Sequence, residues 1–278
     1  MPKSPQNFAD FKNPPVSEVA LSVQFERLEK LRTPYIGLLW KEYENQDLTT
    51  VDEKEPLEPV IETFENIRRK HLHVMFSSKP EMPRIWFINN DDTELVQIQQ
   101  DRFVRNWRKR AAKTSSYPRY SKLKNKFIGD YKIFTDFLAE YQLGDIKPNQ
   151  CEVTYVNPIP AESKWIKIDD IDKIIRIFRK PNPKYNFLPE TEDINLGMRF
   201  IIHNDAEEPI GRLYISLQPV ISVENERVFL LTLTSRLSPA TQDLNGVLHA
   251  LDLGREWIVR GFIDITSQNM HIFWGIKE

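Results

Sequence analysis

A basic and aromatic segment, residues 101–127, contains ten Lys and Arg residues, one acidic residue and five aromatic residues. Phosphates attract such charges and unpaired bases stack on aromatic rings, so this segment could bind a nucleic acid or a nucleotide. The candidate polyanion contacts are Arg102, Arg105, Arg108, Lys109, Arg110, Arg119 and Lys122. If the segment begins as a strand, Phe103, Arg105 and Trp107 share one face, and we expect both rings to lie in the core.

An acidic segment of the same chain could neutralise these charges. Residues 42–65 contain nine Asp and Glu residues against one Lys, and the whole chain has a net charge of −2. A molecule with this balance binds polyanions only through a local excess of positive charge. Two interpretations therefore stay open: a polyanion-binding surface, or a basic face that the acidic segment or solvent neutralises.

Few residues have the types and spacing that catalysis requires. Cys151 is the only cysteine, which excludes an internal disulfide and argues against a thiolate metal site. His71 and His73 form an H-x-H pattern that no nearby Cys or acidic ligand completes. The sequence also lacks the phosphate-loop, dinucleotide, serine-hydrolase and zinc-protease motifs. We therefore expect no catalytic residue, no metal ion and no cofactor.

A small acidic cluster gives the one enzymatic alternative. Asp169, Asp170 and Asp172 could hold Mg²⁺, as paired carboxylates do in metal-dependent nucleases. Ile168 and Ile171 flank them at helical spacing, and acidic residues in the first turn of a helix are stabilised by the helix dipole. A helix start is therefore the favoured interpretation of this cluster.

The elements that must position these residues follow the same order in both halves of the chain. Alternating apolar residues predict strands, and apolar residues at helical spacing predict helices. The predicted elements are strands at 17–25, 84–88, 94–100, 101–107, 151–159, 197–203, 211–219 and 227–235, and helices at 34–43, 119–141, 168–178 and 239–265. Each half therefore gives one strand, a helix, three strands and a second helix.

This order predicts an α+β fold of two pseudo-repeated β-α-β-β-β-α units, with a mainly antiparallel sheet that long helices pack against. We expect an N-terminal arm at 1–15 and a first unit at 16–146. This unit includes the acidic segment at 42–65, most of which is expected to be a surface loop, with a short irregular strand as an alternative. The second unit is expected at 147–278 and ends in a long helix.

The last long helix contains three glycines beside its apolar stripe, Gly246, Gly254 and Gly261. A glycine inside a helix costs about 1 kcal/mol relative to alanine, so another part of the molecule should come close on that side. Packing of the helix on the sheet explains the three glycines, and a helix-packing groove or dimer contact is the alternative. We expect this helix to begin with Ser238 as cap and Pro239 as first residue.

Four stretches of the sequence, FKNPPVSEVALSVQF, PRIWFINNDDTELVQIQQDRFVRNWRK, YPRY and CEVTYVN, resemble a sporadically distributed family of bacterial and archaeal proteins of similar length. No reaction is established for that family, so the resemblance implies no catalytic residue. Sporadic occurrence is typical of genes that belong to mobile or conflict-related gene sets. Gln97, Gln99 and Asn106 belong to the family pattern, and they either form a buried hydrogen-bond network or a polar surface for a ligand or partner.

Together these features predict a non-enzymatic interaction protein that binds a partner protein or forms a homodimer. Nucleic-acid or nucleotide binding through residues 102–126 is the alternative, and a metal-dependent nuclease is the least favoured. The N-terminal residues are polar and proline-rich, and the apolar runs are too short to span a bilayer. The sequence therefore predicts a cytoplasmic protein that does not bind membranes.

Overall fold

The computed structural model describes residues 10–64, 82–110, 116–160, 170–176, 187–189, 191–222 and 225–277. These residues contain nine strands and five helices. The strands are β1 (Glu18–Phe25), β2 (Thr50–Lys54), β3 (Arg84–Ile88), β4 (Glu94–Gln99), β5 (Arg102–Arg108), β6 (Pro148–Pro160), β7 (Leu196–His203), β8 (Pro209–Ile221) and β9 (Arg227–Leu237). The helices are α1 (Thr33–Glu44), α2 (Tyr120–Glu140), α3 (Ile171–Ile174), α4 (Leu244–Ile265) and α5 (Gln268–Phe273).

The nine strands form one antiparallel sheet in the order β2-β3-β4-β5-β1-β6-β9-β8-β7. At its centre β1 pairs with β6, and Leu21 lies opposite Val153. Strands from both halves of the sequence therefore belong to the same sheet. The predicted α+β fold with an antiparallel sheet and packed helices is confirmed, whereas the pseudo-repeat and the boundary between residues 146 and 147 stay predictions.

One face of the sheet carries the apolar core, because successive side chains of a strand point to opposite faces. Leu21 and Phe25 of β1 are buried on this face. α2 packs on β5, where the ring of Phe103 stacks on Phe134 with 5.6 Å between their centroids. α4 packs on β6 and β9. We call this side of the sheet the helix face and the opposite side the open face.

The described part of the N-terminal arm, residues 10–15, docks onto the C-terminal end of the chain. Phe11 is buried and contacts the rings of Phe262 and Trp274 at 5.8 and 5.9 Å between centroids. The backbone N–H of Lys12 donates to the carbonyl oxygen of Gly275 at 2.8 Å. Burial of an aromatic ring together with paired backbone groups fixes the arm in place.

Three elements differ from the sequence prediction. α4 begins at Leu244 rather than at Pro239, because the side chain of Asp243 accepts a hydrogen bond from the Gly246 N–H at 2.8 Å and caps the helix. The acidic segment contains a regular strand, β2, which pairs with β3 at an edge of the sheet. Within residues 170–176 the helix predicted at 168–178 is reduced to the single turn of α3.

The backbone just before α2 is strained. Arg119 has φ 71° and ψ 151°, a combination that only glycine adopts readily. Its guanidinium donates to Asp10 at 2.5 Å and to the carbonyl oxygen of Phe11 at 3.0 Å. These contacts with the N-terminal arm hold the residue in this conformation.

Replacing Arg119 by Gly and by Ala separates the strain from the side-chain contacts. Both substitutions remove the same guanidinium, but only glycine relieves the positive φ. We expect Arg119→Gly to be more stable than Arg119→Ala by about 1–2 kcal/mol, since relief of strain exceeds the extra chain entropy of glycine. Urea denaturation of the two variants measures this difference, and equal stabilities would contradict the assigned backbone conformation.

Candidate functional site

The open face of the sheet carries a row of polar side chains that crosses neighbouring strands. In the strand register Gln99 of β4 lies opposite Arg102 of β5, which lies opposite Gln24 of β1, which in turn lies opposite Gln150 of β6. All three glutamines are buried. Buried amide groups require hydrogen-bond partners, and here a crossing segment of the chain supplies them.

Residues 57–63, which we call the strap, run along this row and are held by their backbone. Gln99 accepts from the N–H of Leu57 at 2.8 Å and donates to the carbonyl oxygen of the same residue at 2.7 Å. Gln24 accepts from the N–H of Val60 at 2.8 Å, and Gln150 accepts from the N–H of residue 62 at 2.9 Å. The three amides therefore bind backbone N–H and carbonyl groups, which every residue type except proline offers.

One side chain of the strap is anchored as well as its backbone. The carboxylate of Glu62, whose side chain is 2% exposed, accepts hydrogen bonds from Arg212 and from the Tyr214 hydroxyl, the latter at 2.6 Å. Arg236 lies 3.9 Å from the same carboxylate. Burial raises the pKa of the Tyr214 hydroxyl and its bond to Glu62 raises it further, so the hydroxyl keeps its proton and donates at neutral pH.

The apolar side chains of the strap contribute little to this contact. Leu57, Val60 and Ile61 are 38%, 37% and 57% exposed. Arg102 adds a further hydrogen bond to the backbone, to the carbonyl oxygen of Glu58 at 3.0 Å. The open face therefore holds an extended polypeptide through main-chain hydrogen bonds and one acidic side chain, rather than through a hydrophobic interface.

The three polar residues that the sequence suggested for a network or a binding surface, Gln97, Gln99 and Asn106, have different surroundings. Gln97 donates to Asn106 at 2.7 Å and accepts from Arg84 at 2.9 Å, while Asn106 donates to Glu18 at 2.8 Å. This chain of hydrogen bonds joins β3, β4, β5 and β1, as expected of a network that fixes strand register. Gln99 belongs to the strap contact instead, and a role of the three residues in binding a ligand or partner stays a prediction.

The two aromatic side chains at the start of the basic segment lie in the core, as predicted, with Phe103 0% and Trp107 3% exposed. Arg105 shares their face, is 5% exposed, and forms ion pairs with Glu94 and with Asp130, the second at 3.0 Å. A guanidinium with this burial has almost no exposed surface to offer a phosphate.

Carboxylates lie beside most other cations of the segment. Arg108 and Arg110 both pair with Asp92, and Arg119 pairs with Asp10. Lys109 and Lys122 are exposed. Within the described residues the carboxylates of these ion pairs lie outside the acidic segment at 42–65, and neutralisation by that acidic segment stays a prediction. Polyanion binding by the segment stays a prediction.

The three glycines of α4 have two kinds of neighbour. A Cβ at Gly254 would meet Ser235, Leu237 and Val153 of the sheet, and a Cβ at Gly261 would meet Leu213. Gly246 instead lies against the carbonyl group of Thr241 in the turn before the helix. Two of the three glycines therefore let the helix approach the sheet closely, and their role in a groove or dimer contact stays a prediction.

The remaining candidates for chemistry form no cluster within the part of the chain that the structure describes. Cys151 is 1% exposed, and burial raises the pKa of its thiol to about 12. Asp170 pairs with Lys173 at 2.7 Å. Asp169, His71 and His73 lie outside the described residues. Across the ranges that the structure does describe, no group of three or more His, Cys, Asp or Glu side chains could hold a metal ion.

Comparison of the chain with protein-family models, with curated proteins and with solved structures finds no match. The resemblance to the sporadically distributed family therefore stays a prediction. Among the described helices, none combines the length and the apolar character that crossing a membrane requires.

Most of the strap contact has no signature in the sequence, although one signal is present. In β8 the polar Arg212 and Tyr214 alternate with the apolar Leu213 and Ile215. Such alternation assigns the polar pair to the face opposite the core. What the pattern could not show is that Glu62, 150 residues away in sequence from Arg212, covers that face.

Proposed function

We propose that the protein is a non-enzymatic binding protein that holds an extended polypeptide of a partner protein on the open face of its sheet. The observation that supports this most is the row formed by Gln99, Gln24 and Gln150, whose amides bind backbone groups of the strap. Such recognition accepts extended chains of many sequences, provided that no proline stands at the three positions whose N–H groups donate. The Arg212 and Tyr214 side chains add a preference for an acidic residue at one position.

The energetics of the strap support exchange with a partner segment. Eight hydrogen bonds join the strap to the sheet. Each contributes about 1 kcal/mol net, and the bonds to charged groups contribute about 1.5–3 kcal/mol. Ordering the backbone of one residue costs about 1–2 kcal/mol, so fixing residues 57–63 opposes this gain with a similar amount. A partner of matching chemistry can therefore compete with the strap.

Fewer observations support the alternative that residues 102–126 bind a nucleic acid or a nucleotide. Most cations of residues 102–126 that the structure describes lie beside carboxylates, and Arg105 is buried.

Two further proposals concern the whole molecule. β1 and β6 each lie at the centre of the sheet and each pair with the last strand of their own half, which supports an origin from two pseudo-repeated units. A cytoplasmic location, with a partner from the same gene set, belongs to the proposal as well.

A peptide with the strap sequence, residues 55–64, tests whether the open face binds a polypeptide in trans. Glu62→Ala removes the anchor of the strap while Arg212 and Tyr214 remain, so an added peptide meets a weaker internal competitor. We expect the labelled peptide to bind Glu62→Ala at least about tenfold more tightly than it binds the wild type. Fluorescence anisotropy measures both affinities.

Two controls make this result specific. A peptide with Gln at the position of Glu62 should bind about tenfold more weakly, because it lacks the charge that Arg212 recognises. Asp136→Ala, which removes an exposed acid of α2, should bind the peptide like the wild type. Absence of saturable binding to Glu62→Ala, or equal affinity of all three proteins, would reject the proposed surface.

A further inference from the structure

A cavity of about 470 Å³ lies on the helix face, away from the strap. Its wall comes from the N-terminal arm, the start of α2, β6 and α4. Small-molecule sites commonly have volumes of about 300–1,000 Å³ and combine an apolar lining with a few polar groups. This cavity has both features, and the polar groups are concentrated in two arginines and a set of tyrosines.

The charged residues of the lining favour an anion. The lining contains two arginines, Arg119 and Arg255, and one carboxylate, Asp10, which pairs with Arg119 and also with Lys277 at 2.6 Å. The N-terminus of α2, at Tyr120, opens onto the same cavity, and its first turn contains no acidic residue and no capping side chain. The helix dipole therefore adds to the positive potential of the two guanidiniums.

Two tyrosines place a hydroxyl donor in the same wall. The hydroxyl oxygens of Tyr117 and Tyr155 are 2.9 Å apart, so one hydroxyl donates to the other. Burial raises the pKa of both groups, and both keep their protons at neutral pH. Two protonated hydroxyls that share one hydrogen bond have one further proton to donate to an acceptor oxygen.

The remaining wall is apolar and aromatic. Ile258 and Phe262 come from α4, Val16 precedes β1, and the ring of Tyr120 is covered by the Arg255 guanidinium at 5.3 Å from its centroid. Such a surface gains free energy when it excludes water from an apolar or aromatic ligand body. The charged and apolar parts of the wall together favour a ligand that has an anionic group and an apolar body.

We propose that this cavity binds a small organic anion, whose carboxylate or phosphate head contacts Arg119 and Arg255 and whose apolar body packs against Ile258 and Phe262. The site uses none of the residues that hold the strap. Part of the basic segment would thus bind a small anion rather than a nucleic-acid backbone.

Isothermal titration of the full chain with decanoate and with 2-naphthyl phosphate tests the proposal, and decanol serves as the uncharged counterpart. We expect saturable binding of one molecule of at least one of the two acids per chain, and the tighter acid identifies the head group. Arg255→Gln should weaken that binding about tenfold or more, since a charge-assisted hydrogen bond is lost. Decanol should bind at least about tenfold more weakly than decanoate.

Further variants separate loss of the site from loss of the fold. Val259→Phe fills the cavity from a half-buried position of α4 and should abolish binding while the thermal unfolding temperature stays near that of the wild type. Lys132→Gln removes an exposed cation of α2 and should leave binding unchanged. The proposal is overturned if neither acid binds saturably, if decanol binds as tightly as decanoate, or if folded Arg255→Gln keeps the wild-type affinity. Peptide binding to the open face is unaffected by these outcomes.

Discussion

Replacing Arg105 with methionine is expected to lower the free energy of unfolding at neutral pH by about 3–5 kcal/mol. Arg105 is 5% exposed and is the cation between two carboxylates, those of Glu94 and Asp130. Methionine fills the space of the aliphatic stem but leaves the buried carboxylate of Asp130 without its counterion. Urea denaturation of wild type and variant at pH 7.5 measures the loss.

The pH dependence of this loss follows from Asp130. Burial raises the pKa of its carboxyl above the unfolded value, although the nearby Arg105 charge acts in the opposite direction. For a carboxyl with a raised folded pKa, stability decreases as pH rises from the unfolded pKa through the folded pKa. Without Arg105 the folded pKa rises further. The stability gap between wild type and Arg105→Met should therefore be largest at neutral pH and narrow as the pH falls.

Two variants control this prediction. Adding Asp130→Asn to Arg105→Met removes the uncompensated charge and should recover part of the stability at pH 7.5. Lys132→Met replaces a cation that is 70% exposed on α2, the helix that also contains Asp130. It should change stability by less than about 1 kcal/mol. A loss below about 1 kcal/mol in Arg105→Met at every pH would show that the buried ion pairs contribute little.

The local elements of the fold could be predicted from the sequence because they depend on residues close in the chain. Period-2 alternation located β1 and β5 and assigned Phe103 and Trp107 to the core. The spacing of Phe127, Tyr131 and Phe134 located α2 within one residue at each end. Both patterns follow from the geometry of a strand and of a helix, and they need no knowledge of the partner element.

The strand order, the strap and the cavity could not be predicted, because they depend on contacts between distant parts of the chain. The order of strands in the sheet, with β1 beside β6, is determined by long-range pairing that leaves no local pattern. The strap is held mainly by its backbone, so Leu57, Val60 and Ile61 show no periodicity that would identify it. The cavity joins Arg119 to Arg255, two residues that lie near one another only because α2 and α4 cover the same face of the sheet.

Alanine substitutions at two helical glycines should change stability in opposite directions. Gly129 lies on the exposed side of α2, and a Cβ there would have no atom of the described residues within 4 Å. Gly129→Ala should therefore raise the free energy of unfolding by about 0.5–1 kcal/mol through helix propensity alone. Gly254→Ala has the same increase in helix propensity, but its Cβ would lie 3.1 Å from Leu237 Cδ1 and closer still to Ser235 Oγ. We expect it to lower stability by about 1–3 kcal/mol.

Ser235 shows whether close packing of α4 on the sheet causes this loss. Its hydroxyl oxygen is buried, has no hydrogen-bond partner among the described residues, and is the atom nearest to the added methyl group. Ser235→Ala removes that oxygen, so the loss caused by Gly254→Ala should be smaller in the Ser235→Ala background than in the wild type, and the double-mutant cycle should give a coupling of about 0.5 kcal/mol or more. Additive effects would mean that α4 moves as a whole to admit the methyl group. Such movement would also shift Arg255, the next residue, and would then alter the anion cavity as well as the packing.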